Sequence, residues 1–373
     1  MKSKVGLFSC NTYDPLLIQE TLEEAFAKNP EWLKDFNGKK VYLKLNLLMK
    51  KKPEDAVTTN PAVVEAVVRI LQNLKAEVTI GDSPGGPYIP ASLKSIYRVC
   101  GIEKVAESTG ANLNYDVSEE KVAFMAGKVV KSFVLTSPVM AADKVISISK
   151  LKTHMMAKYT GAVKNLFGTI PGLNKVGYHL RMPNVDDFCD MLVDLALCVY
   201  PSLNIMDAIT AMEGDGPSAG QPRQVGALLV SADPFALDVA ALSLVKIEPG
   251  TVPTVARAKI RGLAARLEDI EIVGDTLGDL QIEGFKTPKI KGHVRFPIPD
   301  ILERAIRPRP VFIRSKCLGC GDCAVNCPPG AIKLEQGFPN VDLTACIRCF
   351  CCHELCPHNA IEIKRSLFAR RNR

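Results

Sequence analysis

Nine of the chain's 13 cysteines fall within forty residues, and their spacing constrains the fold more than any other feature. Cys317, Cys320, Cys323 and Cys327-Pro328 spell C-x2-C-x2-C-x3-C-P, and Cys346, Cys349, Cys352 and Cys356-Pro357 repeat it 29 residues later. Ala331-Ile332 and Ala360-Ile361 follow at the same offset, and the β-like runs VFIRS and PNVDL precede each copy. Such an internal repeat predicts two similar halves related by a pseudo-two-fold axis. Three thiolates on a tight loop hold three corners of a cubane, and the remote fourth, fixed by its proline, ligates the cluster of the other half. The expectation is two [4Fe–4S] clusters. Cys317, Cys320, Cys323 and Cys356 would hold one, and Cys346, Cys349, Cys352 and Cys327 the other. Paired C-x2-C units also bind zinc, but a duplicated triplet followed by C-P is the iron–sulfur run. Cys351 reads as a small packing thiol, and His353 and His358 as surface residues beside the second motif.

Residues 311–363 closely resemble a bacterial-type two-cluster ferredoxin domain. That resemblance implies a small α+β fold of the (βαβ)2 type and single-electron transfer. The other four cysteines, Cys10, Cys100, Cys189 and Cys198, are scattered. This distribution suits metal ligation in a reducing compartment better than a disulfide framework, so the expected location is the cytoplasm. No apolar run approaches the roughly 18 residues that span a bilayer, and the N-terminus lacks the apolar core of a signal peptide. The net charge of +7 is local, because residues 286–309 hold seven Lys/Arg against two Asp/Glu and residues 364–373 hold five against none. The remainder is slightly acidic, which argues against a nucleic-acid-binding fold. The expected organisation is an α/β domain over 1–284, a basic proline-rich linker or arm over 285–310, the cysteine module over 311–363 and a basic tail over 364–373.

In the first 280 residues, strand-like runs at 5–9, 41–46, 77–81, 144–149, 203–209 and 227–232 are interspersed with helical patterns. Asp14-Pro15 and Asn60-Pro61 are capping pairs, a side-chain acceptor followed by proline at the first helical position. Further helices are expected near 184–199 and 234–246. This alternation predicts an α/β fold with a mainly parallel sheet and helices on both faces. Ligands of such sheets lie beyond the carboxyl ends of the strands. The segments there are KLNLL, GDSPGG, SKLKTH, DAITAMEGDGP and SADPFALD. Lys150, Lys152, His154, Lys158 and Lys164 gather near Gly161, Gly168 and Gly172, on what reads as a strand-end loop and following turn, and would suit a carboxylate or phosphate. Asp233-Pro234 is equally a helix cap, Glu213 and Asp215 are equally turn residues, and GDSPGG lacks both the P-loop and the dinucleotide fingerprints. The helix at 184–199 reads as amphipathic, with Asp186, Asp187, Asp190 and Asp194 on a solvated side.

The set KLN at 44–46, GDSPGG, LKTH with TGAVKNLFGTIPG, His179, DAITAMEGDGP and SADPFALD resembles the family known as domain of unknown function 362, often fused to a two-cluster ferredoxin. The resemblance covers about residues 4–280 and implies architecture and a site, with no named substrate. It points to Lys44, Asn46, Lys152, His154, Lys164, Asn165, His179, Glu213, Asp215, Asp233 and Asp238; from the GDSPGG loop, Gly81, Asp82 and Gly85 join the cofactor-binding candidates Lys44, Asn46, His179, Asp233 and Asp238. The leading functional reading is an iron–sulfur redox protein, a candidate oxidoreductase, whose clusters exchange electrons with an anion site on the α/β domain. Lys152 and Lys164 would neutralise the anion with Asn165 beside them. His154 would supply acid/base chemistry or a metal bond, and Glu213 and Asp215 acid/base groups or a cation site. A redox partner protein is expected, as is an anionic small molecule or a further cofactor. The alternatives are an electron carrier whose large domain docks that partner, and an iron–sulfur maturation factor.

Overall fold

The computed structural model describes residues 2–288 and 308–364. Most of the basic arm and of the basic tail expected from the sequence therefore lie outside the described residues. In chain order the strands of the large domain are β1 (Lys4–Ser9), β2 (Lys40–Lys44), β3 (Glu77–Gly81), β4 (Asn112–Leu113), β5 (Glu119–Ala123), β6 (Ser132–Thr136), β7 (Lys144–His154), β8 (Lys158–Thr160), β9 (Leu203–Glu213), β10 (Gln221–Ser231) and β11 (Glu271–Gly274). One nine-stranded sheet runs β11-β1-β10-β9-β7-β2-β3-β4, with β8 added on β7, while β5 and β6 form a separate hairpin. Five of its pairings are parallel (β1–β11, β2–β3, β2–β7, β3–β4 and β7–β9). The antiparallel ones are β1–β10, β9–β10 and β7–β8.

The capping pairs start their helices as expected. The Asp14 carboxylate accepts from Leu16 N at the head of helix Pro15–Lys28, and Asn60 accepts from Ala62 N at the head of helix Pro61–Asn73. Both helices pack on one face of the sheet, where Ile18, Leu22, Val63 and Val67 share a core with Ile148, Ile205 and Leu228. Helix Pro234–Leu244 covers the opposite face, against Val5, Leu7, Met206 and Leu229. Adjacent residues such as Leu228 and Leu229 enter different cores because successive strand residues point to opposite faces.

Two sequence expectations need correction. The stretch Lys150–His154 is not a strand-end loop but the second half of β7: Lys150 stands beside Asp207 of β9, a bulge follows, and β8 pairs with the strand's last residues. The acidic side of helix Val185–Val199 is only partly solvated. Asp186 and Asp187 are exposed, but Asp190 and Asp194 are buried. Asp190 accepts from Arg257 and Lys128. Asp194 accepts from Arg261 and from the backbone N–H groups of Lys128, Val129 and Val130. These partners arrive from distant segments, which helical periodicity does not reveal. Removing a buried carboxylate that holds three backbone donors and a guanidinium leaves the three N–H groups unpaired and Arg261 with Asp190 as its remaining partner. Asp194→Ala should therefore cost about 3–5 kcal/mol of stability, read from the urea midpoint. Asp186→Ala in the exposed first turn should cost less than about 1 kcal/mol.

The cysteine module consists of β12 (Arg309–Phe312), β13 (Ile332–Glu335), β14 (Phe338–Val341) and β15 (Ile361–Lys364), with single helical turns at Asp322–Val325 and Cys351–Glu354. Strand β12 pairs with β15, and β13 with β14. The 29-residue repeat is visible in the backbone. Gly319 and Gly321 have φ of +70° and +83°, and their counterparts Arg348 and Phe350 have φ of +58° and +60°. Glycine adopts such values freely, whereas side-chain-bearing residues do so at a cost of about 1–2 kcal/mol each. The ligand loop imposes one conformation on both halves.

Candidate functional site

The expected thiols lie in two groups, one of which shares a cavity. Cys317, Cys320, Cys323 and Cys356 line one cavity of about 360 Å³ in the module. Cys323 is pushed up to about 11 by burial and by the charges that Cys320, Cys356 and Cys317 would carry. In the other half, burial raises Cys352 well above the ordinary thiol range, with Cys349, Cys346 and Cys327 as its strongest electrostatic neighbours. Buried thiols that would repel one another as thiolates are the donor set that iron neutralises on coordination, so these residues fit clusters. The repeat extends to the remote ligands, because Ala331 N donates to Cys327 Sγ at 3.2 Å and Ala360 N to Cys356 Sγ at 3.3 Å. Among the described residues no three His, Cys, Asp or Glu side chains group to hold a single metal ion.

A second cleft, about 720 Å³ including its open mouth, lies beyond the carboxyl ends of β2, β3 and β7. Of the residues expected from the sequence, Lys44, Asn46, Asp82, Gly85, Lys152, Lys164, Asn165 and His179 line it. Beneath it runs an oriented polar chain. Lys152 Nζ donates to Asn46 Oδ1 at 2.7 Å, Asn46 Nδ2 to Asn165 Oδ1 at 3.0 Å, and Asn165 Nδ2 to Ser147 Oγ at 2.9 Å. Lys44 forms a buried ion pair with Asp82 at 2.8 Å, and Asp82 also accepts from Leu47 N. Gly168 is where the chain passes closest to that pair, and a Cβ there would overlap both Lys44 Nζ and Asp82 Oδ1.

The cleft's cations are not equivalent. Lys152, fully buried, donates to two neutral acceptors, Asn46 Oδ1 and Val57 O, and forms no ion pair with a carboxylate among the described residues. Burial, then the neighbouring Lys164, lowers it to about 7. Lys175 donates to Ser83 O, Ser83 Oγ and Ile170 O, and burial lowers it as well to about 7. Lys164 has no hydrogen-bond or ion-pair partner among the described residues and faces the cleft. Lys150 is turned elsewhere, bound to Asp207 at 2.8 Å and to Tyr13 OH, and serves as a structural ion pair.

The far wall comes from the cysteine module. Cys351, Glu354 and Leu355 line the cleft from within the second ligand loop. Glu354 Oε2 lies 3.3 Å from His154 Nε2, and Glu354 O accepts from Ser218 Oγ at 2.6 Å. His154 Nδ1 accepts from Met156 N and Ala157 N, which places its proton on Nε2, toward Glu354. Burial and Lys164 lower His154 to about 4 despite that carboxylate, so the ring is neutral at pH 7. Burial opposes ionisation of Glu354, but the interaction with His154 and the charge of Lys164 prevail and hold it below the usual carboxylate range. His353 is not a surface residue: it is buried, with Nδ1 at 2.7 Å from Ile361 O and Nε2 at 3.4 Å from Asp215 O. His358 is exposed.

Other expected residues stand apart. Asp233 caps helix Pro234–Leu244 by accepting from Phe235 N and Ala236 N. Asp238 accepts from Ala162 N and Val163 N and so fixes the turn that carries Lys164 and Asn165, and burial raises it to about 7. Glu213 accepts from Lys286 N, Asp215 is exposed, and Gly81 O accepts from Leu45 N. His179, which does line the cleft, is lowered by burial to about 3 and stacks on Phe188 with ring centroids 4.4 Å apart. Sequence reasoning passed over Lys175 and Glu354. Lys175 stands four residues before His179 on helix Asn174–Arg181, and that spacing is a usable signal. Glu354 had none, because its role depends on how two domains meet.

Lys152 also sets a pH dependence. Its folded value of about 7 lies below the ordinary 10.5, so between these values the unfolded chain binds more protons and stability rises with pH. Lys152→Met should therefore gain most over the parent at pH 7 and below and least near pH 10, as urea denaturation at several pH values would show.

Residues 41–243 match the family described as a domain of unknown function (DUF362), and residues 309–357 match a 4Fe–4S dicluster domain. A thylakoid-associated protein of Synechocystis is 32% identical over 318 residues, which is 82% of this chain and 94% of that one. The pyruvate synthase subunit PorD of Methanocaldococcus jannaschii is 41% identical over 54 residues, 14% of this chain and 63% of that subunit. The solved lactate racemase apoprotein of Thermoanaerobacterium thermosaccharolyticum aligns with a TM-score of 0.38 at 13% identity, covering 63% of this chain and 55% of its own. No helix among the described residues is long and apolar enough to cross a membrane.

Proposed function

The chain belongs to the DUF362 family and carries a ferredoxin-type 4Fe–4S domain, and from that premise we propose that it is an oxidoreductase acting on an anionic small molecule held in the cleft. One observation carries this reading. The segment Cys349–Cys356 carries three of the candidate ligand thiols and, through Cys351, Glu354 and Leu355, forms a wall of the cleft. A molecule in the cleft would thus sit against the loop that holds a cluster. Cys317, Cys320, Cys323 and Cys356 would hold one [4Fe–4S] cluster, and Cys346, Cys349, Cys352 and Cys327 the second. Bound clusters supply single-electron transfer. Lys164 would pair with the anion, Lys175 would fix the Ser83 loop beneath it, and neutral His154 would hold a proton at Nε2 against Glu354. A redox partner would exchange electrons with the module, as befits similarity to a pyruvate synthase subunit. The free thiols throughout the chain suit a cytoplasmic setting. A docking role for the lysines has less support, since Lys44 and Lys152 are only 1% exposed.

The test uses anaerobically isolated full-length protein. Analysis should find about eight iron and eight sulfide per chain, with paramagnetic signals on dithionite reduction. Sulfate, as a simple anion probe, should bind by calorimetry. Lys164→Ala should weaken that binding about tenfold or more, the loss of one charge-assisted contact, with iron content unchanged. Zinc without sulfide would overturn the electron-transfer reading, and sulfate binding indifferent to Lys164 would overturn the site.

A further inference from the structure

Each buried lysine of the strand ends is compensated in its own way, and Lys152 is the exception that calls for a chemical explanation. Lys44 has Asp82 and Lys150 has Asp207, each at 2.8 Å. Lys152 has only the amide oxygen of Asn46 and the carbonyl of Val57, both at 2.7 Å. The orientation of the Asn46 amide is fixed, because its Nδ2 is spent on Asn165. Two of the three tetrahedral positions on Nζ beyond Cε are therefore occupied by N–H groups donated into the protein. The third is an N–H in the ammonium form and a lone pair in the amine form. Lys152 lines the cleft; burial, Lys164 and Lys150 act against a charge on it and outweigh Glu354 and Asp82, which favour one, so the amine form is populated near neutral pH.

We infer that Lys152 is a nucleophile that forms an imine with an aldehyde or ketone carrying an anionic group. The inference rests on the anion-binding reading of the cleft for the second half of that description, since Lys164 is the cation left to receive the ligand's charge. The Nζ lone pair adds to the carbonyl carbon, a C–N bond forms, and the carbonyl π pair moves onto oxygen, which takes up a proton given up by nitrogen. The resulting hydroxyl leaves with the second nitrogen-bound hydrogen as water, and the C=N bond closes. No electrons are gained or lost, and no co-reactant is needed. Asn46 and Val57 hold the amine in place before attack and release its hydrogens during dehydration. A buried amine depressed by desolvation and a neighbouring cation is how lysine becomes an effective nucleophile.

The experiment is reductive trapping on the anaerobically isolated full chain. The protein is incubated with 2-oxobutanoate and sodium cyanoborohydride, whose hydride converts an imine into a stable secondary amine, and modified peptides are mapped by mass spectrometry. Butan-2-one, the same skeleton without a carboxylate, is the comparator. One dominant adduct at Lys152 is expected, formed about tenfold faster with 2-oxobutanoate than with butan-2-one, the ratio one charge-assisted contact supplies. Lys152→Arg should abolish the adduct, and Lys164→Ala should erase the preference for 2-oxobutanoate while butan-2-one still labels Lys152. The map of the parent protein decides the matter even where a variant folds poorly. Labels confined to exposed lysines, with Lys152 unmodified, would overturn the inference. If that result came with Lys164-dependent sulfate binding, the anion site would stand and the imine alone would fall. Equal labelling of Lys152 by both ketones, with no sulfate binding, would instead keep the nucleophile and remove the anion site.

Discussion

Burying ammonium groups at the carboxyl ends of β2 and β7 is the constraint around which the strand-end region is organised. An isolated charge removed from water costs several kcal/mol, so each lysine must be matched or must lose its proton. The matching reaches well beyond the pairs themselves. Asp82 accepts from Leu47 N as well as pairing with Lys44, and Asp207 accepts from Asn60 N and Tyr13 OH as well as from Lys150. The same carboxylates that neutralise the lysines thus pin both ends of the segment 47–60, from which Leu48 lines the cleft. Where no carboxylate is supplied, at Lys152 and Lys164, the imbalance faces the cleft. A protein that compensates two buried lysines so completely and leaves two others to the cavity has a basic pocket by construction.

How much of this was legible follows from the range of each interaction. Short-range signals were read well. Capping pairs started helices where Asp14 and Asn60 stand, strand runs gave a mainly parallel sheet, and the thiol spacing agrees with the quartet that lines one cavity. Lysine and asparagine positions taken from strand ends also converge, because a parallel sheet brings its strand ends together whatever their separation in sequence. What failed involved partners set by tertiary packing. A helix with aspartates every third or fourth residue looks the same whether its acidic side meets water or Arg257 and Arg261. The lysine-bearing run 150–154 looked like a loop because charged residues are rarely buried in strands, and only Asp207 on the neighbouring strand makes Lys150 tolerable there. Asp233 is the helix cap that its following proline suggests, whereas Asp238, a binding candidate by resemblance, holds the backbone N–H groups of a distant turn.

The contact between the domains decides what the cluster module can do. Its own core is small, built from Ile332, Ile361, Ala360 and several cysteines, and cannot by itself offset the entropy of ordering the loops. Metal–thiolate bonds supply the remainder in modules of this size. The module's contribution to the cleft is carried on the same loops, with Glu354 and Leu355 between Cys352 and Cys356. The side chain of Leu355 occupies the space that a Cβ on Gly85 would need, so the glycine of the GDSPGG loop permits the approach. The polar part of the contact joins an imidazole whose proton affinity is lowered by burial to a carboxylate that His154 and Lys164 hold below the usual range. Loss of the thiolate bonds would therefore disorder the ligand loop, withdraw Glu354 from His154 and open the cleft to water. One wall of the pocket and three of the candidate cluster cysteines, Cys349, Cys352 and Cys356, therefore lie on a single short segment, so whatever orders that segment orders both.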